Sequence, residues 1–336
     1  MKKLSLYLRE FLEHLEIEKN RSNNTIQNYR FYIGRFVEWY SDKAPESMTY
    51  EDVRQYRLWL NRLVDVHGDS LKKNTQNYHL IALRSFLKYL AKRDVEIISA
   101  EKIELMKMPD REVSFLDTGD LERLLEAPLR QENKKTGKQE NKPVDPIPYR
   151  DKAILELLFS TGLRVSELAG LKQDSLNLRR DEFTVTGKGG KSRVVFISEQ
   201  AKYWLKKYLA VRPDVNPYLF VGHDKAHGST KTIKQKINKT KNAGGFEVDN
   251  SPLTTRSIER LVQHYAKAAG ITKSVTPHTL RHSFATDLLQ NGADIRSVQA
   301  MLGHSSITTT QIYTHITDRE LLNIHKKFHG KKRGGD

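Results

Sequence analysis

From Leu4 to Leu90 the apolar residues recur at helical spacing, which commits the N-terminal part of the chain to a packed helical bundle. Leu4, Leu8, Phe11, Leu12 and Leu15 form one stripe, and Ile26, Tyr29, Ile33, Phe36, Val37 and Tyr40 a second. A stripe confined to one helix face has to be buried against another element, so neither helix is stable alone. Thr49 and Asp52 make a capping-box signature ahead of Val53, Tyr56, Leu60 and Leu63. A fourth helix is predicted from about Lys73 to Leu90. It is apolar over much of its girth (Leu80, Ala82, Leu83, Phe86, Leu87, Leu90), so it belongs at the centre. Ile97 to Met106 reads as a small fifth helix.

Met108 to Glu112 has no periodicity and reads as a linker, placed at 108–114 between a helical domain at 1–107 and a second domain at 115–336. A chain of 336 residues is long enough for two cores. The second domain opens on a helix at Asp117-Thr118 with Leu121, Leu124 and Leu125 inward. Pro128 to Pro148 is polar, charged and proline-bearing, and reads as a surface insertion. Arg150 to Ser160 is helical and breaks at Thr161-Gly162. Phe183 to Thr186 and Arg193 to Ile197 are β-rich runs around Gly187-Lys188-Gly189-Gly190-Lys191, a hairpin with a glycine-supplied turn. Gln200 to Leu209 and Thr254 to Ala269 read as helices. Residues 226–250 read as a second long insertion, an extended loop with a short helix near Ile233 and Ile237. The fold class is therefore mainly α with one small β-sheet.

Charge narrows the partner. The chain carries 57 Lys and Arg against 41 Asp and Glu, a net charge of +16, which favours a polyanion, and nucleic acid before a membrane. No window approaches the ~18 apolar residues of a membrane span. The absence of cysteine rules out disulfides and a thiolate zinc site, and fits a cytoplasmic protein. Two helix starts are rich in donors suited to phosphates and base edges: Lys72, Lys73, Asn74, Thr75, Gln76 and His79 on one, Thr255, Arg256 and Arg260 on the other. Lys191 and Arg193, beside the hairpin turn, join them as candidate DNA contacts.

The polar residues that interrupt this pattern are Arg164, Lys188, His278, Arg281, His304 and Tyr313, four of them within Thr276 to His315. Thr276 and Pro277 suit a helix start, Leu280, Phe284 and Leu288 give that helix an apolar face, and Asn291-Gly292 ends it. His278 and Arg281 project from its first turn. Asp294 can cap the next helix, with Ile295, Val298, Met301 and Leu302 inward, and Gly303 stops it just before His304. A third short helix carries Tyr313. Singly, each polar residue has an ordinary explanation, such as Arg164 pairing with Glu167 three residues on. Together they suit a phosphodiester under attack. Guanidiniums can hold its charged oxygens with forked hydrogen bonds, and a phenol can attack phosphorus. At a reference pKa of ~10 only about one Tyr in a thousand is ionised at pH 7. Neighbouring positive charge and a His base offset that cost. Lys188, on a hairpin, can protonate the leaving sugar oxygen. No Walker-type spacing points to a nucleotide and no carboxylate cluster to a metal, so no cofactor is expected.

Thr161-Gly162-Leu163-Arg164-Val165-Ser166-Glu167-Leu168, Thr186-Gly187-Lys188-Gly189, His278-Thr279-Leu280-Arg281-His282, Leu302-Gly303-His304 and Ile312-Tyr313-Thr314-His315 together resemble the motif set of the tyrosine recombinases, the phage-type integrases and Xer recombinases. The resemblance implies an N-terminal helical, SAM-like core-site-binding domain and an α+β catalytic domain. It implies a site-specific recombinase that cuts and rejoins double-stranded DNA through a 3′-phosphotyrosyl link to Tyr313. Arg164, Arg281 and His304 would stabilise the phosphorane, Lys188 act as general acid and His278 assist proton transfer, with Glu167 supporting Arg164. It further implies a homo-tetramer on DNA, or a hetero-tetramer with a second recombinase, joined by a C-terminal helix. Leu321 to Phe328, behind a capping box at Thr317 and Glu320, would be that helix. The chain opens directly on core-binding helices, which favours an Xer-like enzyme of chromosome or plasmid dimer resolution. An integrase or transposase of a mobile element, a type IB topoisomerase and a non-catalytic DNA-binding regulator are the alternatives.

Overall fold

The computed structural model describes residues 2–64, 68–108, 114–135, 144–187, 190–223 and 251–303, with the backbone alone at 131–135, 240–241 and 247–248. They fall into two compact units, Met1–Asp110 and Arg111–Asp336, each with its own apolar core.

The first unit is built from α1 (Leu4–Ile17), α2 (Asn23–Trp39), α3 (Tyr50–Arg62) and α4 (Lys73–Ala91). α4 packs against the other three helices, as its apolar girth requires. Phe36, Tyr56, Phe86, Leu87 and Leu90 are fully buried. Each such side chain contributes about 1.5–3 kcal/mol of burial. The ring of Phe36 meets that of Tyr56 edge-on at 4.9 Å. The capping box opening α3 is formed: Asp52 N–H donates to Thr49 Oγ1, and Thr49 N–H donates to Asp52 Oδ2 at 2.7 Å.

The fifth helix expected at Ile97–Met106 does not form; only a single 3-10 turn, Ala100–Lys102, stands there. The Val95–Ile98 stretch contains three β-branched residues, which lose side-chain freedom in a helix. The buried Asn77 amide offers an alternative, accepting from Met106 N–H at 3.2 Å and donating to Met106 O at 3.4 Å. That zips an extended segment onto α4.

The second unit contains α5 (Thr118–Lys135), α6 (Pro146–Thr161), α7 (Val165–Ala169), β1 (Glu182–Thr186), β2 (Ser192–Phe196), α8 (Glu199–Val211), β3 (Thr240–Lys241), β4 (Glu247–Val248), α9 (Thr255–Ala268), α10 (Pro277–Gln290) and α11 (Ile295–Leu302). α6 is the axis, packed on α5, α8 and α10. Ala153, Ile154, Leu155, Leu157 and Leu158 are all fully buried on it. β1 and β2 form an antiparallel hairpin that pairs Val185 with Arg193 and Thr186 with Ser192.

One expectation is corrected here. The surface insertion does not begin at Pro128, because α5 runs through that proline to Lys135. Pro128 is buried beside Ala127, so packing offsets the missing N–H bond. Within 226–250 the described backbone is a two-residue antiparallel ladder, Thr240 opposite Val248 and Lys241 opposite Glu247. The helix expected near Ile233 and Ile237 lies outside the described residues.

Candidate active site

Two left-handed glycines set the geometry. Gly162 ends α6 at φ 59°, where a side chain is strained, and a Cβ there would stand 2.5 Å from the Phe284 ring on α10. The chain can therefore turn sharply and α10 can lie close, which brings Arg164 toward Arg281. Gly303 ends α11 at φ 63°. A Cβ there would meet Arg193 Cδ at 2.7 Å.

The turn at Gly303 exposes the last carbonyls of α11, groups without partners inside the helix. Three arginines from three elements take three consecutive ones. Arg193 Nε on β2 donates to Met301 O at 3.0 Å, Arg281 Nη2 on α10 to Leu302 O at 2.6 Å, and Arg164 Nη2 to Gly303 O at 3.2 Å. Arg281 Nη1 also donates to Gly162 O. The negative end of the helix dipole favours cations there. Three guanidiniums thus converge on one helix end.

Glu167 holds two of them. Its Oε1 accepts from Arg164 Nη1 and from Arg193 Nη1, both at 2.9 Å. Its Oε2 accepts from Arg193 Nη2 at 2.8 Å and from Arg164 N–H at 2.9 Å. Burial by itself would push this carboxyl up. The Arg193 hydrogen bonds, the Arg164 N–H, the Arg193 charge and the Arg164 side-chain hydrogen bond together outweigh burial and hold it at about 2. Glu167 is therefore ionised at neutral pH.

The other sequence-predicted residues divide by exposure. His278 lies exposed on the first turn of α10, one turn before the buried Arg281. Thr276 caps that helix, accepting from Thr279 N–H at 3.2 Å. Lys72, Lys73, Asn74, Lys191, Thr255, Arg256 and Arg260 are exposed, and Thr75 is half-buried. Lys188, His304 and Tyr313, with the segment from Thr317 to Phe328, lie outside the described residues.

Gln76, His79 and Arg193 are corrections to the expected DNA contacts. His79 is 1% exposed, with Nδ1 against Thr75 O at 2.9 Å, and Gln76 donates to Leu71 O at 2.7 Å. Both lie on the buried side of α4 with Leu80 and Leu83, as helical spacing from those residues shows. The Arg193 side chain is 9% exposed and fully engaged with Glu167 and Met301. Strand alternation carried that signal, because Arg193 shares a face with the buried Val195 and Ile197 while Val194 and Phe196 point outward.

Among the described residues no helix is long and apolar enough to cross a membrane.

Known proteins give the arrangement its context. The model of the "Phage integrase family" matches residues 114–320, and that of the "Phage integrase, N-terminal SAM-like domain" matches 7–97. Tyrosine recombinase XerD of Chlorobaculum tepidum is 36% identical over 326 residues, 96% of this chain and 95% of that protein. Tyrosine recombinase XerC of Pelobacter propionicus is 34% identical over 336 residues, 99% of this chain and 98% of that protein. The fold is also that of XerH recombinase bound to a palindromic difH substrate, with a TM-score of 0.65 at 21% identity over 94% of this chain and 82% of that one. A lambda integrase tetramer bound to a Holliday junction shares it at a TM-score of 0.64 and 16% identity, over 92% of this chain and 76% of that one. The chain belongs to the phage integrase family and is an Xer-like tyrosine recombinase, an enzyme that breaks and rejoins DNA strands.

Proposed function

We propose that Arg164, Lys188, His278, Arg281, His304 and Tyr313 carry out the strand exchange, with residues 1–107 gripping the site DNA and 115–336 holding the scissile phosphate. The observation that carries this reading is the convergence of Arg164 and Arg281 on neighbouring carbonyls at the end of α11, directly before His304. Two guanidiniums fixed in place can receive the charge that develops on the non-bridging oxygens without reorganising. Arg164 spends two N–H groups of its side chain among the described residues, on Glu167 and Gly303. A guanidinium has five such donors, so the remainder serve a phosphate.

The Tyr313 oxygen attacks phosphorus, the bond to the 5′ oxygen breaks, and Lys188 gives that oxygen its proton. His278 takes up the phenolic proton. The 5′-hydroxyl of a partner strand then attacks the 3′-phosphotyrosyl link and releases Tyr313. One phosphodiester replaces another, so the cycle consumes no nucleotide.

The exposed Lys72, Lys73, Asn74, Lys191, Thr255, Arg256 and Arg260 are the proposed backbone contacts, supported by the net charge of +16. Four protomers on two sites, acting in dimer resolution in the cytoplasm, is the assembly and task that best fit Xer relatives aligned over nearly the whole chain. A nicked suicide substrate carrying candidate sites tests the chemistry. The protein should form a covalent adduct, and Tyr313→Phe should form none. An adduct of equal yield in that variant would overturn the assignment.

A further inference from the structure

We propose that Arg193 is a positioning residue for Arg164: it occupies Glu167 from the hairpin side, so that the Arg164 guanidinium stays turned to the substrate phosphate with its charge uncancelled. This rests on the reading of Arg164 as a phosphate-holding residue given above.

The geometry makes the case in three steps. A carboxylate has about four lone-pair sites, and four N–H donors fill those of Glu167. Arg193 provides two of them in the forked arrangement, and Arg164 provides one from its backbone and only one from its side chain. Two guanidiniums against one carboxylate leave the group a net positive charge. Without Arg193, two sites open on a carboxylate whose side chain is 5% exposed. The cation within reach is Arg164, and an arginine beside an unfilled carboxylate forms the two-pronged pair. The guanidinium would rotate into that pair, and the net charge facing the phosphate would drop to zero.

Arg193 is itself built to stay in place. Nε is fixed to Met301 O, and both terminal nitrogens are fixed to Glu167. Its arm passes over Gly303, where any Cβ would displace it. It stands on β2 opposite Val185, one pair from the closed end of the hairpin, where Thr186 faces Ser192. One side chain therefore ties together the hairpin, Glu167 with Arg164, and the end of α11.

The test uses Arg193→Gln and Arg193→Lys in the full-length protein, with the melting temperature of each recorded. On nicked site DNA at saturation, Arg193→Gln should cleave about 100-fold more slowly in a single turnover, the scale expected of a misplaced catalytic group. Its affinity for the site and the salt dependence of that affinity should be unchanged. Arg193→Lys keeps the charge without the fork and should fall between, which also covers the case in which the glutamine variant does not fold. Because Arg193 leads the groups that hold Glu167 ionised, Glu167 in Arg193→Gln should protonate at mildly acidic pH and release Arg164, so the deficit in cleavage against the wild type should narrow there. In a Glu167→Gln background, adding Arg193→Gln should cost little more. Wild-type cleavage by a folded Arg193→Gln, or a loss of equal size in the Glu167→Gln background, overturns the proposal. Weakened binding with a shallower salt slope and normal cleavage overturns it too, because that is the signature of a phosphate contact. An adduct that persists in Tyr313→Phe would instead refute the assigned chemistry, whatever Arg193 does.

Discussion

Glu167 is a nearly buried carboxylate between two guanidiniums, and its charge links the site to stability. In the folded chain it titrates at about 2, against 4.5 for an unperturbed group. A depressed pKa means that its contribution is fully present above the unfolded value and disappears as pH falls through the folded one. Wild-type stability should therefore decline between pH 4.5 and 2, and Glu167→Gln should show a flatter profile over the part of that window where both fold. Urea denaturation at a series of pH values measures this; coincident slopes would sink the idea. At this scale the sequence was partly legible. The Arg164–Glu167 pair follows from a spacing of three residues, and it is formed. Residue type suggests Arg193, Gln76 and His79 as DNA contacts, but periodicity places them inward. The strand and helix faces they share with Val195 and Leu80 point inward.

α10 shows how an element presents a site. Thr276 accepts from Thr279 N–H, and Thr276 N–H donates to Thr279 Oγ1 at 3.1 Å, so the first turn carrying His278 is fixed from both directions. Thr276→Ala should cost about 1 kcal/mol of stability, and Thr276→Ser should restore most of it. Chemical denaturation of both variants checks this, with Thr276→Ala indistinguishable from wild type as the contrary result. The expected face of Leu280, Phe284 and Leu288 describes α10 only in part. Arg281, Ser283, Ala285, Thr286 and Leu289 are buried as well, and Phe284 and Leu288 are only half-buried. A helix enclosed on several sides has no single stripe, so periodicity understates how firmly it is held. The Ile97–Met106 segment shows the opposite error. Its apolar spacing suggested a helix, but a side chain far back on α4 supplied better partners for its backbone. Local pattern cannot register that competition.

For the whole molecule, the chain divides into two compact units, each with its own apolar core. The proposed assembly depends on the segment after Asp318, where the sequence predicts a helix. A chain truncated there should still bind a single site in a gel-shift assay but should not pair two sites or recombine them. Unchanged recombination would refute a donated C-terminal helix. The sequence by itself determined most of the described helical elements, the caps at Thr49, Thr276 and Asp294, the hairpin and the identity of the residues suited to phosphoryl chemistry, because each depends on neighbours within a few positions. Only the tertiary structure decided what the inward-facing arginines hold. Gly162 and Gly303 turn the chain so that carbonyls at the end of α11 meet side chains from the α6–α7 turn, β2 and α10. Such contacts join residues distant in the chain. Their strength comes from a shared, nearly buried carboxylate and unpaired helix-end carbonyls, which exist only once the elements have packed.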